Sequence, residues 1–117
     1  MAGPQKKSLD APDQVVKMER VRIEIIEIAG GGVARATFEP GWKWSEHEKP
    51  VVGGGDYCEE PHFAYVAAGQ IHVVFVDGSE IDLKAGDIAT IPSGHDAWVV
   101  GDEPAVMLDF GAVAKPF

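Results

Sequence analysis

Residues 62–95 read HFAYVAAGQIHVVFVDGSEIDLKAGDIATIPSGH. Three short apolar runs stand in this stretch, each closed by a glycine-bearing turn. Ala64 to Ala67 ends at Gly69-Gln70, Ile71 to Val76 at Asp77-Gly78, and Ile81 to Leu83 at Ala85-Gly86-Asp87. A fourth run, Ile88 to Ile91, stops at Pro92-Ser93-Gly94. Strands of about 4–8 residues cut by Gly and Asp at short, regular spacing mark an antiparallel sandwich or barrel. A histidine stands at each end, His62 and His95.

The same rhythm extends outward. Val21-Arg22-Ile23-Glu24-Ile25 alternates with the period of a half-buried strand. The phase then slips at Ile25-Ile26, which predicts a β-bulge or a strand buried on both faces. Ala29 to Gly32 is a turn, and Val33 to Phe38 a further strand with Ala34, Ala36 and Phe38 on one face. After the break at Glu39-Pro40-Gly41, the run Trp42 to His47 alternates aromatic and polar residues. It reads either as a strand with its tryptophans in the core, or as pocket walls with His47 at the edge. Glu48 to Pro61 holds three consecutive glycines, two prolines and Cys58, and reads as a long loop. Ala97 to Val100 and Val106 to Phe110 complete the strands, with Val106, Leu108 and Phe110 on one face. No segment carries a helical stripe over ten residues or more. The chain is therefore expected to be all-β, with residues 1–14 a flexible N-terminal arm and residues 15–117 a single domain.

Composition narrows the function. A length of 117 residues supports one core, and fourteen glycines with eight prolines suit tight turns. Nineteen acids against ten bases give a formal charge of −9. Such a surface repels nucleic acid and anionic lipid, so neither is an expected partner. No run approaches the ~20 apolar residues of a membrane span, and no apolar block follows Lys6-Lys7 as a secretory leader requires. A lone cysteine excludes an internal disulfide frame and fits a reducing cytoplasm.

At the level of motifs the chain resembles the cupin family of small β-barrels, whose two signatures are G(x)5HxH(x)3-4E(x)6G and G(x)5PxG(x)2H(x)3N. Gly41 is followed after five residues by His47. His62 stands six residues before Gly69, in the place of the family's glutamate, and Gly86 precedes Pro92-Ser93-Gly94 by five residues. The resemblance covers about residues 30 to 111 and implies a cupin-type antiparallel β-sandwich, or jelly-roll barrel. The departures concern the metal ligands. Lys49 occupies the second histidine of HxH, twelve residues (50–61) replace the short spacer, and Ala97 occupies the last histidine, with His95 two residues early. Gly101 stands in place of the terminal asparagine.

What remains is an alternative ligand set of His47, His62 and His95, converging only if each faces into the barrel. Three imidazoles with an open position suit a divalent transition metal: zinc, iron, nickel, manganese or copper. Glu46, Glu48 or Asp96 is near enough in sequence to add an oxygen ligand or to orient a ring. Equally, the histidines read as hydrogen-bonded side chains in a metal-free mouth. Cys58 reads as a soft ligand or as a plain thiol. His72 falls out of phase with its apolar neighbours and is expected on the outer side, at a subunit contact.

Two functions follow. In the first, a divalent transition metal acts on a small organic molecule, with Glu48 and Lys49 as candidates for acid–base work. In the second, the barrel binds or senses a small molecule without metal, walled by Trp42, Trp44 and Trp98. Small cupins commonly pair through sheet edges, so a homodimer is expected.

Overall fold

The structure is a computed structural model and describes residues 3–53 and 55–110. The expected domain's last residues, 111–117, and the first two of the expected arm lie outside the described residues. Nine strands and two short helical turns follow in order among the described residues: β1 (Gln14–Met18), β2 (Val21–Ile28), β3 (Gly31–Phe38), α1 (Trp44–His47), α2 (Lys49–Val52), β4 (His62–Ala68), β5 (Gln70–Phe75), β6 (Glu80–Lys84), β7 (Ile88–Ile91), β8 (His95–Val99) and β9 (Ala105–Asp109). They form a six-stranded sheet, β1-β2-β3-β9-β4-β7, facing a three-stranded sheet, β6-β5-β8. Every pairing is antiparallel. The last strand lies in the middle of the larger sheet, between β3 and β4, so the chain's two halves are locked by long-range pairing. This is the expected jelly-roll sandwich.

The phase slip at Ile25-Ile26 is not a bulge. β2 and β3 pair without a break from Val21↔Phe38 to Ile28↔Gly31. Instead Ile25 and Ile26 are both buried, at 2% and 5% exposure, which is the two-faced alternative. The outer face is covered by residues 3–13. Gln5 Oε1 accepts from the Ala29 amide at 2.9 Å, Asp13 Oδ2 from the Glu27 amide at 2.8 Å, and the Leu9 carbonyl from Arg35 at 3.4 Å. Arg35 also forks onto Glu24 at 3.0 and 3.1 Å. Glu24 is covered by side chains yet has only this thin layer above it. Screening is partly retained, and the pair is worth about 1 kcal/mol rather than the figure for a deep ion pair. The true bulge lies in β4, where the register against β9 shifts between Val66 and Ala68.

Inner faces follow the period of two. Ala64 and Val66, Ile71 and Val73, Ala97 and Val99, and Ala105 and Met107 all point into the core. Fully burying a side chain such as Val66 or Val73 contributes about 1.5–3 kcal/mol. The stretch Trp42–His47 is not a strand beyond a single bridge between Lys43 and Trp98. It turns into α1, and α2 follows with Pro50 in its first turn, where a missing N–H costs nothing. Both tryptophans remain buried, Trp42 at 4% and Trp44 at 7% exposure. No helix among the described residues is long and apolar enough to cross a membrane.

Candidate metal centre and ligand cavity

Between the sheets lies a cavity of about 540 Å³. Its walls are inner-face residues such as Ile25, Phe38, Ile71, Val73 and Met107, and its opening is bordered by α1, α2 and residues 55–60. A second, shallow depression around the Ala29-Gly30 turn opens broadly to solvent and gathers no ligand cluster.

Three donors converge on the cavity. One ligand atom each from Cys58, His62 and His95 lie within 4.8 Å of one another. Backbone pairing sets this up. Cys58 N–H donates to the His95 carbonyl at 2.7 Å, and His95 N–H to the Cys58 carbonyl at 3.2 Å, so the two residues face each other across a one-residue bridge. His62 and His95 are the first residues of β4 and β8, and their rings meet edge-on at 5.2 Å. Each ring is oriented from behind. His95 Nδ1–H donates to the Pro92 carbonyl at 2.8 Å, and His62 Nδ1–H to Asp109 Oδ2 at 2.5 Å. With both Nδ1 atoms committed, Nε2 of each ring is left toward the sulfur. Asp109 is itself 5% exposed and also accepts from the Phe63 amide.

The electrostatics are those of a prepared donor set. Burial pushes the Cys58 thiol up, but hydrogen bonds from His62 and His95 and the Glu60 amide outweigh it and lower its pKa to about 6. Burial likewise pushes His62 down, but Asp109 and Cys58 overcome it and raise the imidazole to about 9. Glu48 lines the same cavity. Desolvation, then the charge of Cys58, raise its carboxyl to about 7 against the opposing pull of His62 and Trp42. The Trp42 Nε1–H, fully buried, comes near Glu48 without reaching hydrogen-bond geometry, and has no partner among the described residues.

The expected site residues divide. His62 and His95 come together, whereas His47 does not join them. Its Nδ1 accepts from the Lys43 amide at 3.0 Å, inside its own helical turn, and it does not line the cavity. Cys58 stands in the third position instead. Glu48 lines the cavity; Lys49 does not, and ion-pairs with Asp56 at 2.6 Å. Glu46 is exposed, and Asp96 accepts from the Ser45 amide at 3.1 Å. Trp42 and Trp44 are cavity walls. Trp98 lies on the outer face, where it packs against His72 at 5.0 Å and under Lys43. His72 is on that outer face as its phase requires, held by Asp82 and Glu80, each at 2.6 Å. Asp109 was not singled out by the sequence. Its signal is phase: it shares the inward face of β9 with the buried Ala105 and Met107.

An antiparallel jelly-roll enclosing a cavity with a histidine-containing donor cluster at strand ends is the architecture of a cupin. Residues 58–111 match the family model described as a cupin domain. No curated protein matches the sequence. Similar solved structures include a sugar phosphate isomerase of the cupin superfamily from Silicibacter pomeroyi. It is 22% identical with a TM-score of 0.61, over 90% of this chain and 73% of that one. KdgF from Halomonas sp. is 17% identical with a TM-score of 0.59, covering 93% and 94% of the two chains. The Bacillus subtilis oxalate decarboxylase, described with Mn(II) centres, is 19% identical with a TM-score of 0.61. All of this chain matches 34% of that much longer one. At these identities the likeness establishes the fold.

Proposed function

We propose that this protein is a metal-binding cupin that holds one divalent transition ion on Cys58, His62 and His95 and receives a small organic molecule in the adjoining cavity. The observation that carries this reading is the convergence of three donors with both imidazoles tied back through Nδ1. A thiolate with two imidazoles suits zinc, copper, iron or nickel; manganese, a harder ion, suits the sulfur less. When bound, such an ion supplies Lewis acidity toward an oxygen of the organic molecule. The chain's own residues prepare the rest. Asp109 and Pro92 fix the two rings, and Cys58 is already held toward its thiolate form. Glu48, with its pKa near 7, exchanges a proton at the cavity wall near neutral pH.

One feature favours the alternative, a metal-free binding module: Cys58 and His62 already balance each other's charge without an ion. Metal analysis of protein purified without a histidine tag separates the two. The metal reading expects about one equivalent per chain, falling below about a tenth in Cys58→Ser and His95→Ala and unchanged in His47→Ala. Less than about a tenth in the parent protein, even after reloading, sinks it. We further propose a cytoplasmic setting, where a low-pKa thiol stays reduced, and a homodimer formed through the apolar outer face of β4, β7 and β9.

A further inference from the structure

The cavity beside the donor cluster has a wall chemistry of its own. At about 540 Å³ it is the size of a small-molecule site. Its deep surface is almost wholly aliphatic and aromatic, from Ile25, Ala36, Phe38, Ile71, Val73 and Met107. Apart from the donor cluster, the charged side chains that line it are the inner Glu48 and Asp109 and, at its exposed edge, Glu59, Glu60 and Lys17. No arginine lines it, and the single lysine that does, Lys17, is an exposed residue of edge strand β1. A carboxylate or phosphate entering this space would lose its water and meet no guanidinium or inner ammonium group; the His62 imidazolium is already paired with Asp109 and Cys58, and Glu48 stands on the same wall. One deep polar group is unmatched. Trp42 lines the cavity, is 4% exposed, and carries a buried Nε1–H that completes no hydrogen bond among the described residues, although the Glu48 carboxyl is near enough to feel it. Leaving such a donor unpaired costs about 1–3 kcal/mol, which a ligand acceptor would recover.

We infer that the cavity takes an uncharged, largely apolar molecule carrying a carbonyl or ether oxygen, which accepts the Trp42 Nε1 hydrogen bond, and that it rejects carboxylates and phosphates. This deepens the proposed function, on whose placement of the ligand beside the donor cluster it rests. It also sets this chain apart from its structural neighbours named for a sugar phosphate and for oxalate, whose ligands are anions.

The test is calorimetric titration of chelator-treated protein with four probes sharing one ring: acetophenone, ethylbenzene, benzoate and phenyl phosphate. Removing metal matters, because an ion would attract the anions itself. Acetophenone is expected to bind about tenfold more tightly than benzoate or phenyl phosphate, and about fivefold more tightly than ethylbenzene. Trp42→Phe keeps the aromatic wall and deletes the donor, so the preference over ethylbenzene should vanish. Should that variant fail to fold, as judged by circular dichroism, Glu48→Gln serves: benzoate should gain about fivefold with acetophenone little changed. The inference is overturned if an anion binds as tightly as acetophenone or if neither neutral probe binds at millimolar concentration. It is also overturned if the acetophenone preference survives in Trp42→Phe, or if Glu48→Gln leaves benzoate unmoved. Metal content is measured on the same batch before chelation. A metal-free batch with the expected probe order fails only the metal reading, and a metal-replete batch with the order reversed fails only this one.

Discussion

At the scale of single residues, the site depends on where a side chain falls within the two-residue pleat. Ala97 occupies the place of the family's last histidine, and His95 comes two residues earlier. A two-residue step returns to the same face of a strand, so His95 points inward as Ala97 does, about 7 Å nearer the strand end. That displacement brings it to Cys58, which bridges it through backbone hydrogen bonds. His62 keeps the place of the family's glutamate, His95 is displaced by two residues, and a thiol from the long connection completes the set. Asp109 plays the part of a positioning residue, since its carboxylate holds the His62 ring by Nδ1 and leaves Nε2 outward. Asp109→Asn keeps the shape and an acceptor oxygen but removes the charge. Zinc affinity, measured by competition with a chromophoric chelator, is expected to weaken by about 10–100-fold. The thermal midpoint serves as the control for folding. Unchanged affinity would reduce Asp109 to a purely structural role.

At the scale of elements, the turn between β4 and β5 leaves less room for a side chain than any other described glycine position. Gly69 alone separates the two strands and carries the chain from one sheet to the other with φ of +73°. A Cβ there would lie 2.5 Å from the Pro104 carbonyl oxygen and 2.7 Å from Ala105 Cα, both backbone atoms that cannot rotate away. Gly69→Ala is expected to cost about 2–4 kcal/mol, read as a lower denaturant midpoint in urea unfolding. A loss below about 0.5 kcal/mol would show that the β9 approach yields easily. Gly69 was also legible in the sequence, as were most strands, because alternation and glycine turns are local signals. β7 was read to the residue, and β5 and β6 to within a residue or so. Three things were not legible, each for a physical reason. α1 and α2 are single turns of four residues, too short to show a helical stripe. β1 is built on Val15-Val16-Lys17-Met18 without clean alternation, and is a strand because β2 pairs with it. Cys58 joins the two histidines because a loop folds back onto β8, a tertiary event that spacing does not encode. The expected convergence of His47 rested on the family motif, and the helical turn there aims its Nδ1 at the Lys43 backbone instead.

For the whole molecule, the question is what covers the outer face of the larger sheet at its β7 edge. The pairings Phe63↔Thr90, Tyr65↔Ile88 and Tyr65↔Leu108 place Phe63, Tyr65, Ile88 and Leu108 on one outward surface. Phe110 adjoins it, 6.2 Å from Phe63. Ile88 is 69% exposed, Phe63 51% and Phe110 47%. Single exposed apolar side chains are ordinary, but a contiguous group beside an edge strand is the kind of surface that proteins cover. β7 is only four residues long, so strand addition alone would contribute little. Face-to-face packing of two such surfaces about a two-fold axis would bury both groups at once. Sedimentation is therefore expected to show a species at twice the 12.5 kDa of one chain at micromolar concentration. Ile88→Lys places a charge on the most exposed apolar side chain of the face and leaves the cavity untouched. It should convert the protein to monomer while zinc content stays the same. A parent protein that sediments as monomer rules the homodimer out, and a dimer that survives Ile88→Lys moves the contact to another face.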